Sequence, residues 1–332
     1  MVALPKKWVK EMGLEQGSEI VITRPSLSSL LITAESVSPA TEKDEAIIEV
    51  SDKDTPDSLF REIVSLYILG YNRISLRGGN GFLASSKRDA IKDMVRRHLI
   101  GTEGVAESKE KITIHVLLGF SELSVDNALK RMLLITSSMH KDAAMAFEKN
   151  DKGMAEGVVT REDEVGRFGL YVIRQLNMSI NQGIYKESIL EPRDLLGYTQ
   201  VAKALERVAY HATKTAKVVA EHGRMEDQAF APRIIEMSET AAGLVDEAML
   251  ALFKRDHSGA DSVVERAKKF TEGAEDPMRS MRGKGNEDYS MQILVDSQRR
   301  IVEYAREIAE TVLDLTIERV VRKESPVMVK AM

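Results

Sequence analysis

A chain of 332 residues is long enough for two or three domains and a sizeable core. Its net charge of −5 carries no block of one sign, so nothing global points to nucleic acid, and the absence of cysteine excludes disulfides, thiolate metal sites and cysteine nucleophiles while fitting a cytoplasmic chain. The opening Met1-Val2-Ala3-Leu4-Pro5-Lys6 is not a signal peptide, and no apolar run approaches the roughly 18 residues of a membrane span.

Residues 1–40 form the first expected unit. Pro5 suits the first turn of a short helix and Gly13 its end. Ser18 to Thr23 and Ser28 to Thr33 predict a hairpin across Arg24-Pro25-Ser26-Leu27. The string LPKKWVKEMGLEQGSEIVI resembles the swapped-hairpin DNA-binding module of the AbrB/SpoVT type, without the strand that normally precedes it. The resemblance implies Lys6, Lys7, Lys10 and Arg24 as DNA contacts. Four acids, Glu11, Glu15, Glu19 and Glu35, balance these four cations, and a dimerising module is the other reading. Trp8, Val9, Met12, Leu14, Ile20 and Ile22 are much apolar surface for so small a unit, which predicts a homo-oligomer.

Residues 41–120 predict a small α/β domain in the order βαβαββ. Strands are expected at Ala46 to Val50 and Arg73 to Leu76, then as a pair from Gly104 to Ser108 and Lys111 to Leu118. Asp57 is expected to cap a helix from Ser58 to about Leu69, ended by Gly70, and a second helix runs from Ser85 to Ile100.

From 121 to 323 the pattern is helical, with helices at about 124–149, 152–185, 191–222, 226–256, 259–282 and 285–322, a break at Gly283-Lys284-Gly285-Asn286, and a flexible tail at 324–332. Leu205, Val208, Ala209, Ala212, Ala216 and Val219 make one apolar helix face of mostly small residues, and Thr213 is expected to face away from it. Arg300 to Ala305 echoes Arg207 to Ala212 at an offset of 93, and Ala309 falls under Ala216. Val263-Val264-Glu265-Arg266 echoes Val158-Val159-Thr160-Arg161 at 105, and Phe253 echoes Phe147 at 106. Two helical units thus repeat in tandem, sharing one elongated core. The stretch ERVAYHATKTAKVVAE, with Arg161-Glu162-Asp163-Glu164-Val165-Gly166-Arg167-Phe168 and Tyr171 to Leu176 before it, resembles the PhoU family of phosphate-uptake regulators, in its archaeal form. That resemblance implies an α+β N-terminal part followed by an all-α body of two tandem three-helix bundles.

Many PhoU proteins hold metal clusters on acids spaced i, i+4. Here Gly166 follows Glu162, Tyr210 follows Glu206, Arg299 precedes Glu303, and Ala267 and Lys268 align with Glu162 and Asp163. Solvated acidic faces are one reading. A divalent or ferric ion on Glu162, Asp163, Glu206 and Glu303 is the other. Arg88, Lys92 and Arg96, with Lys87 and Arg97 beside them, form a basic stripe able to meet phosphate, interleaved with Asp89 and Asp93. Arg77-Gly78-Gly79-Asn80-Gly81 fits no phosphate-binding fingerprint and reads as a turn. The six histidines show no zinc spacing, there is no G-x-S-x-G elbow, and His211 reads as a core histidine. No enzyme is expected. The resemblance implies regulation of phosphate uptake by contact with phosphate ABC transporter components or other regulatory proteins. A DNA-binding transcriptional regulator, with the helical body as sensor, is the alternative.

Overall fold

The computed structural model describes residues 3–26, 29–34, 45–79, 81–117, 123–182, 192–222, 231–280 and 286–321. The tail at 324–332, the break at Gly283 to Gly285 and Asn80 lie outside them. α1 (Lys6–Glu11) is followed by Gly13 at φ +62°, a conformation that glycine tolerates. β1 (Ile20–Ser26) and β2 (Ser29–Ala34) pair antiparallel, with the register shifting between Thr23 and Ser26. The strand therefore runs through Arg24, which was expected in the turn. Pro25, lacking an N–H for the ladder, sits at the irregularity. No residue of α1 is buried, and Ile20, Val21 and Ile22 are exposed.

The α/β unit has the expected order: β3 (Glu45–Val50), α2 (Pro56–Ile68), β4 (Arg73–Gly78), α3 (Ser85–His98), β5 (Thr102–Glu107) and β6 (Lys111–Val116). The sheet order is β3-β4-β6-β5, with β3 parallel to β4 and the other pairs antiparallel. The cap of α2 is Thr55, not Asp57. Its hydroxyl accepts the Ser58 N–H at 3.1 Å, the Ser58 hydroxyl accepts the Thr55 N–H at 3.0 Å, and Pro56 fills the first helical position. Asp57 lies in the first turn, where a carboxylate still favours the helix dipole. Leu59, Ile63 and Tyr67 of α2 and Ile91 and Val95 of α3 pack on Ile48, Val50, Ile74, Leu76, Ile112 and Ile114, so both helices cover one face of the sheet. Each fully buried aliphatic side chain there contributes about 1.5–3 kcal/mol. The other face is polar: the Ser75 hydroxyl donates to Glu45 at 2.7 Å and lies 3.0 Å from that of Thr113.

α4 (Val125–Lys149), α5 (Lys152–Gln182) and α6 (Pro192–His222) form one three-helix bundle, and α7 (Ala231–Lys254), α8 (His257–Ser280) and α9 (Asn286–Val320) form a second. α6 packs on α9 and α4 on α7, which joins the two into one core. The duplication is visible atom by atom at the helix corners. Asn150 and Arg255 both adopt φ 53°. The N–H groups of Asp151 and Asp256 reach back 2.9 Å to the carbonyls of Ala146 and Ala251. The carboxylates of Asp151 and Asp256 then accept the N–H groups of Met154 and Gly259, each at 3.0 Å. Arg161 pairs with Asp142 just as Arg266 pairs with Glu247. Every one of these matches is 105 positions apart (255 − 150, 256 − 151, 266 − 161, 247 − 142). The corner therefore aligns Phe147 with Leu252, not Phe253, because a left-handed cap fixes register to the residue while adjacent apolar positions do not.

The α/β unit docks onto α5. Arg174 is 1 % exposed and caps the C-terminal end of α2. One of its terminal nitrogens donates to the carbonyls of Tyr67 at 2.6 Å and Tyr71 at 3.0 Å, the other to Asn72 Oδ1 at 2.8 Å. Its guanidinium lies 5.0 Å from the centre of the Tyr67 ring. Three residues on, the Asn177 amide donates to the Ile68 carbonyl at 2.8 Å. A cation from the neighbouring unit thus joins the Gly70 N–H on the Tyr67 carbonyl, at a helix end that carries partial negative charge. At the other end of the contact, Arg97 and His98 of α3 meet Asp163 of α5.

Ala212 and Ala305 are completely buried, as their place on the small-residue face predicts. Ala212→Leu is expected to cost about 1–3 kcal/mol by overpacking. Thr213, expected to face away, is 1 % exposed, because α6 has α4 and α5 on one side and α9 on the other. Lys217, exposed on the same helix, is the proper control, and Lys217→Leu should change stability by less than about 0.5 kcal/mol. Urea unfolding of the two variants checks this, and equal stability would contradict the close approach at Ala212.

Candidate protein-interaction cleft

The two copies of the organising helix, α6 and α9, meet along the seam between the bundles. Near one end Gly197 lies so close to α9 that a Cβ there would sit 3.0 Å from Thr311 Cγ2 and 3.1 Å from Leu315 Cδ1. Beside this crossing opens a cleft of about 450 Å³. α6 contributes Gln200, Lys203 and Arg207, and α9 contributes Tyr304, Glu307, Glu310, Thr311 and Asp314. One wall is therefore basic and the other acidic. The Thr311 hydroxyl lies 3.3 Å from Gln200 Oε1 and ties the walls together. Partial burial, with Glu310 and Glu303 nearby, raises the pKa of Glu307. Behind the cleft the Tyr304 ring lies 5.9 Å from that of His211, which is 7 % exposed. Burial, reinforced by Lys214, lowers the His211 pKa to about 4, so the imidazole is neutral at pH 7. A cleft with opposite charges on facing walls suits recognition of a mixed-charge protein surface.

The four acids expected as metal ligands are not brought together. Asp163 meets Arg97 and lies 3.9 Å from His98 Nδ1. Glu206 accepts from Lys203 at 2.7 Å and rests on the α5 backbone, where a Cβ at Gly169 would lie 1.9 Å from its Oε1. Glu303 pairs with Arg300 at 3.0 Å and Arg299 at 3.4 Å. Among the described residues no three His, Asp or Glu side chains stand close enough to hold an ion. A hard divalent cation wants about six oxygens, so these residues do not fit one. Gly166, Tyr210 and Arg299 stand four residues from Glu162, Glu206 and Glu303, so none of these acids has a second carboxylate at that spacing there.

Lys6, Lys7 and Lys10 are exposed on α1, with Lys7 3.8 Å from Glu11. Arg24 lies in β1. Three cations of the α3 basic stripe are engaged within its own unit, while Arg97 reaches across to Asp163 of α5. Arg88 donates to the Ser108 carbonyl at 2.6 Å, Lys92 to Glu107 at 2.8 Å and Lys87 to the Ser51 carbonyl at 3.1 Å. The glycine-rich loop is also self-satisfied: Gly78 N–H donates to the Glu110 carbonyl at 3.0 Å and Gly79 N–H to that of Val50 at 2.9 Å. Those groups do not point at an anion. Gly78 is there because a Cβ would lie 2.1 Å from the Phe82 carbonyl oxygen. Gly78→Ala is expected to cost on the order of 2 kcal/mol, since backbone must move to admit the methyl. Denaturant unfolding of this variant beside wild type checks it, and unchanged stability would contradict the turn geometry.

Sequence reasoning singled out neither the cleft nor Arg174. Tyr304 and Arg207 were visible only as parts of the internal repeat. Glu307 and Asp314 look like any solvated helix acids until α6 is laid beside α9. Among the described residues no helix is long and apolar enough to cross a membrane.

Residues 129–219 match the family model described as the PhoU domain. No curated protein matches the chain. Among solved structures, PhoU from Pseudomonas aeruginosa is similar over 58 % of this chain and 96 % of that one, at 19 % identity and a TM-score of 0.51. The phosphate transport system regulatory protein PhoU from Streptococcus pneumoniae is matched over 60 % of this chain and 96 % of that one, at 14 % identity and a TM-score of 0.49. The matched range spans α4, α5 and α6, so the first bundle is similar to the PhoU domain, and the fold is shared with the Pseudomonas aeruginosa protein.

Proposed function

We propose that this chain regulates phosphate uptake in the cytoplasm by binding protein components of the phosphate transport system. The PhoU domain at residues 129–219 carries the reading. The α6/α9 cleft, with Lys203 and Arg207 facing Glu307 and Asp314, is the surface assigned to the partner. Regulation is then a binding event that favours one conformation of the partner, with no bond made or broken. A sequence without a zinc spacing or a nucleophile elbow is in keeping with this. Cross-linking in native cells grown at high and low phosphate tests the proposal. The expected result is a cross-link from Lys203 to a phosphate-transport component. Recovery of DNA bound through Lys6, Lys7 and Lys10, with no transport component, would favour the DNA-binding alternative and contradict it.

A further inference from the structure

We propose that two copies of this chain join edge to edge through β3, forming a continuous eight-stranded sheet across a two-fold axis. β3 ends the sheet, and no described strand pairs with its outer flank. Its partner register runs unbroken from Glu45–Arg73 to Val50–Gly78, so no bulge twists the free edge away. The strand, Glu-Ala-Ile-Ile-Glu-Val, carries neither Lys nor Pro, the residues that commonly block an edge. β5, at the opposite edge, does carry a register irregularity, between Thr102 and Val105. Ile47 on the free strand is 49 % exposed.

A second copy fits this edge better than an unrelated strand because the groove beside it is complementary to itself. β3 and α2 enclose about 640 Å³, and α2 lines it with Ser58, Arg61, Glu62 and Ser65. Antiparallel pairing of β3 with its own copy lays α2 beside the second α2, also antiparallel. Arg61 of each copy then faces Glu62 of the other, and the small Ser58 and Ser65 let the helices approach. Such an interface uses one patch twice, as two-fold dimers do. Pairing of equivalent strands requires residues of the same face to meet. Centring on Ile48 satisfies this and avoids setting Glu45 against Glu49, which centring on Ile47 would do.

The sequence contains no cysteine, so one introduced thiol reports one position. In the full chain, Ser65→Cys treated with a bis-maleimide long enough to span two helical turns is expected to give a covalent dimer, and Lys217→Cys on α6 is not. Arg61→Glu or Glu62→Arg, added to Ser65→Cys, should cut the cross-linked fraction at least several-fold, and the two exchanged together should restore it. Absence of a dimer with Ser65→Cys would overturn the proposal. So would cross-linking that Arg61→Glu leaves unchanged, or equal cross-linking at Lys217→Cys.

Discussion

Replacing Arg174 by methionine is expected to destabilise the folded chain by about 3–4 kcal/mol, and to loosen the α/β unit from the helical body. Methionine keeps most of the stem volume but withdraws every donor. The carbonyls of Tyr67 and Tyr71 and the Asn72 amide oxygen would lose their charged partner. A hydrogen bond to a charged group contributes about 1.5–3 kcal/mol, and a buried acceptor left unmet costs about 1–3 kcal/mol. Against this, methionine removes the desolvation cost of burying a guanidinium, whose pKa burial pushes downward. The net figure is therefore below the sum of the parts. Urea unfolding followed by circular dichroism gives the size. Hydrogen exchange in α2 shows whether that helix loses protection first. A loss below about 1 kcal/mol, with α2 protection unchanged, would contradict the docking role of Arg174.

The second large effect is acid destabilisation. His211 has its pKa lowered to about 4 by burial, with Lys214 next in effect and Asp296 opposing. His140 is shifted the same way by burial, while the Ser238 carbonyl at 2.9 Å and Asp246 oppose. The unfolded chain protonates these rings near pH 6.5, but the folded chain resists. Unfolding thus takes up protons below 6.5, and stability falls as the pH drops from 6.5 towards 4. For His211 the loss between pH 7 and pH 4.5 is about 2–3 kcal/mol. His211→Gln should remove that share. The fall in unfolding free energy between the two pH values should then be smaller by about 2–3 kcal/mol in the variant than in wild type. Equal falls would show that His211 titrates normally in the folded chain.

Periodicity made the helical body legible, because long amphipathic helices advertise their buried stripe at every turn. The expected helices at 124–149 and 152–185 compare with Val125–Lys149 and Lys152–Gln182. Thr213 was misread for a physical reason. A stripe analysis assigns one buried face, while α6 is enclosed by helices of both bundles. The cap of α2 was misplaced by two residues because Thr55 and Asp57 both suit a helix start, and only the reciprocal bonds of Thr55 and Ser58 decide between them. Arg174 was invisible for a different reason. Its partners lie over 100 positions away and are mostly backbone carbonyls, which no side-chain pattern encodes. Gly166 and Tyr210 leave Glu162 and Glu206 without an acid four residues on, a feature that the sequence alone displays.

The proposed role is restraint of phosphate uptake through protein contact. Uptake of radiolabelled phosphate by cells lacking it, grown at high external phosphate, tests this most directly. A several-fold rise over the parent is expected, reversed by wild type and not by a Lys203→Glu, Arg207→Glu variant that folds normally. Uptake equal to the parent's in cells lacking the chain would contradict it.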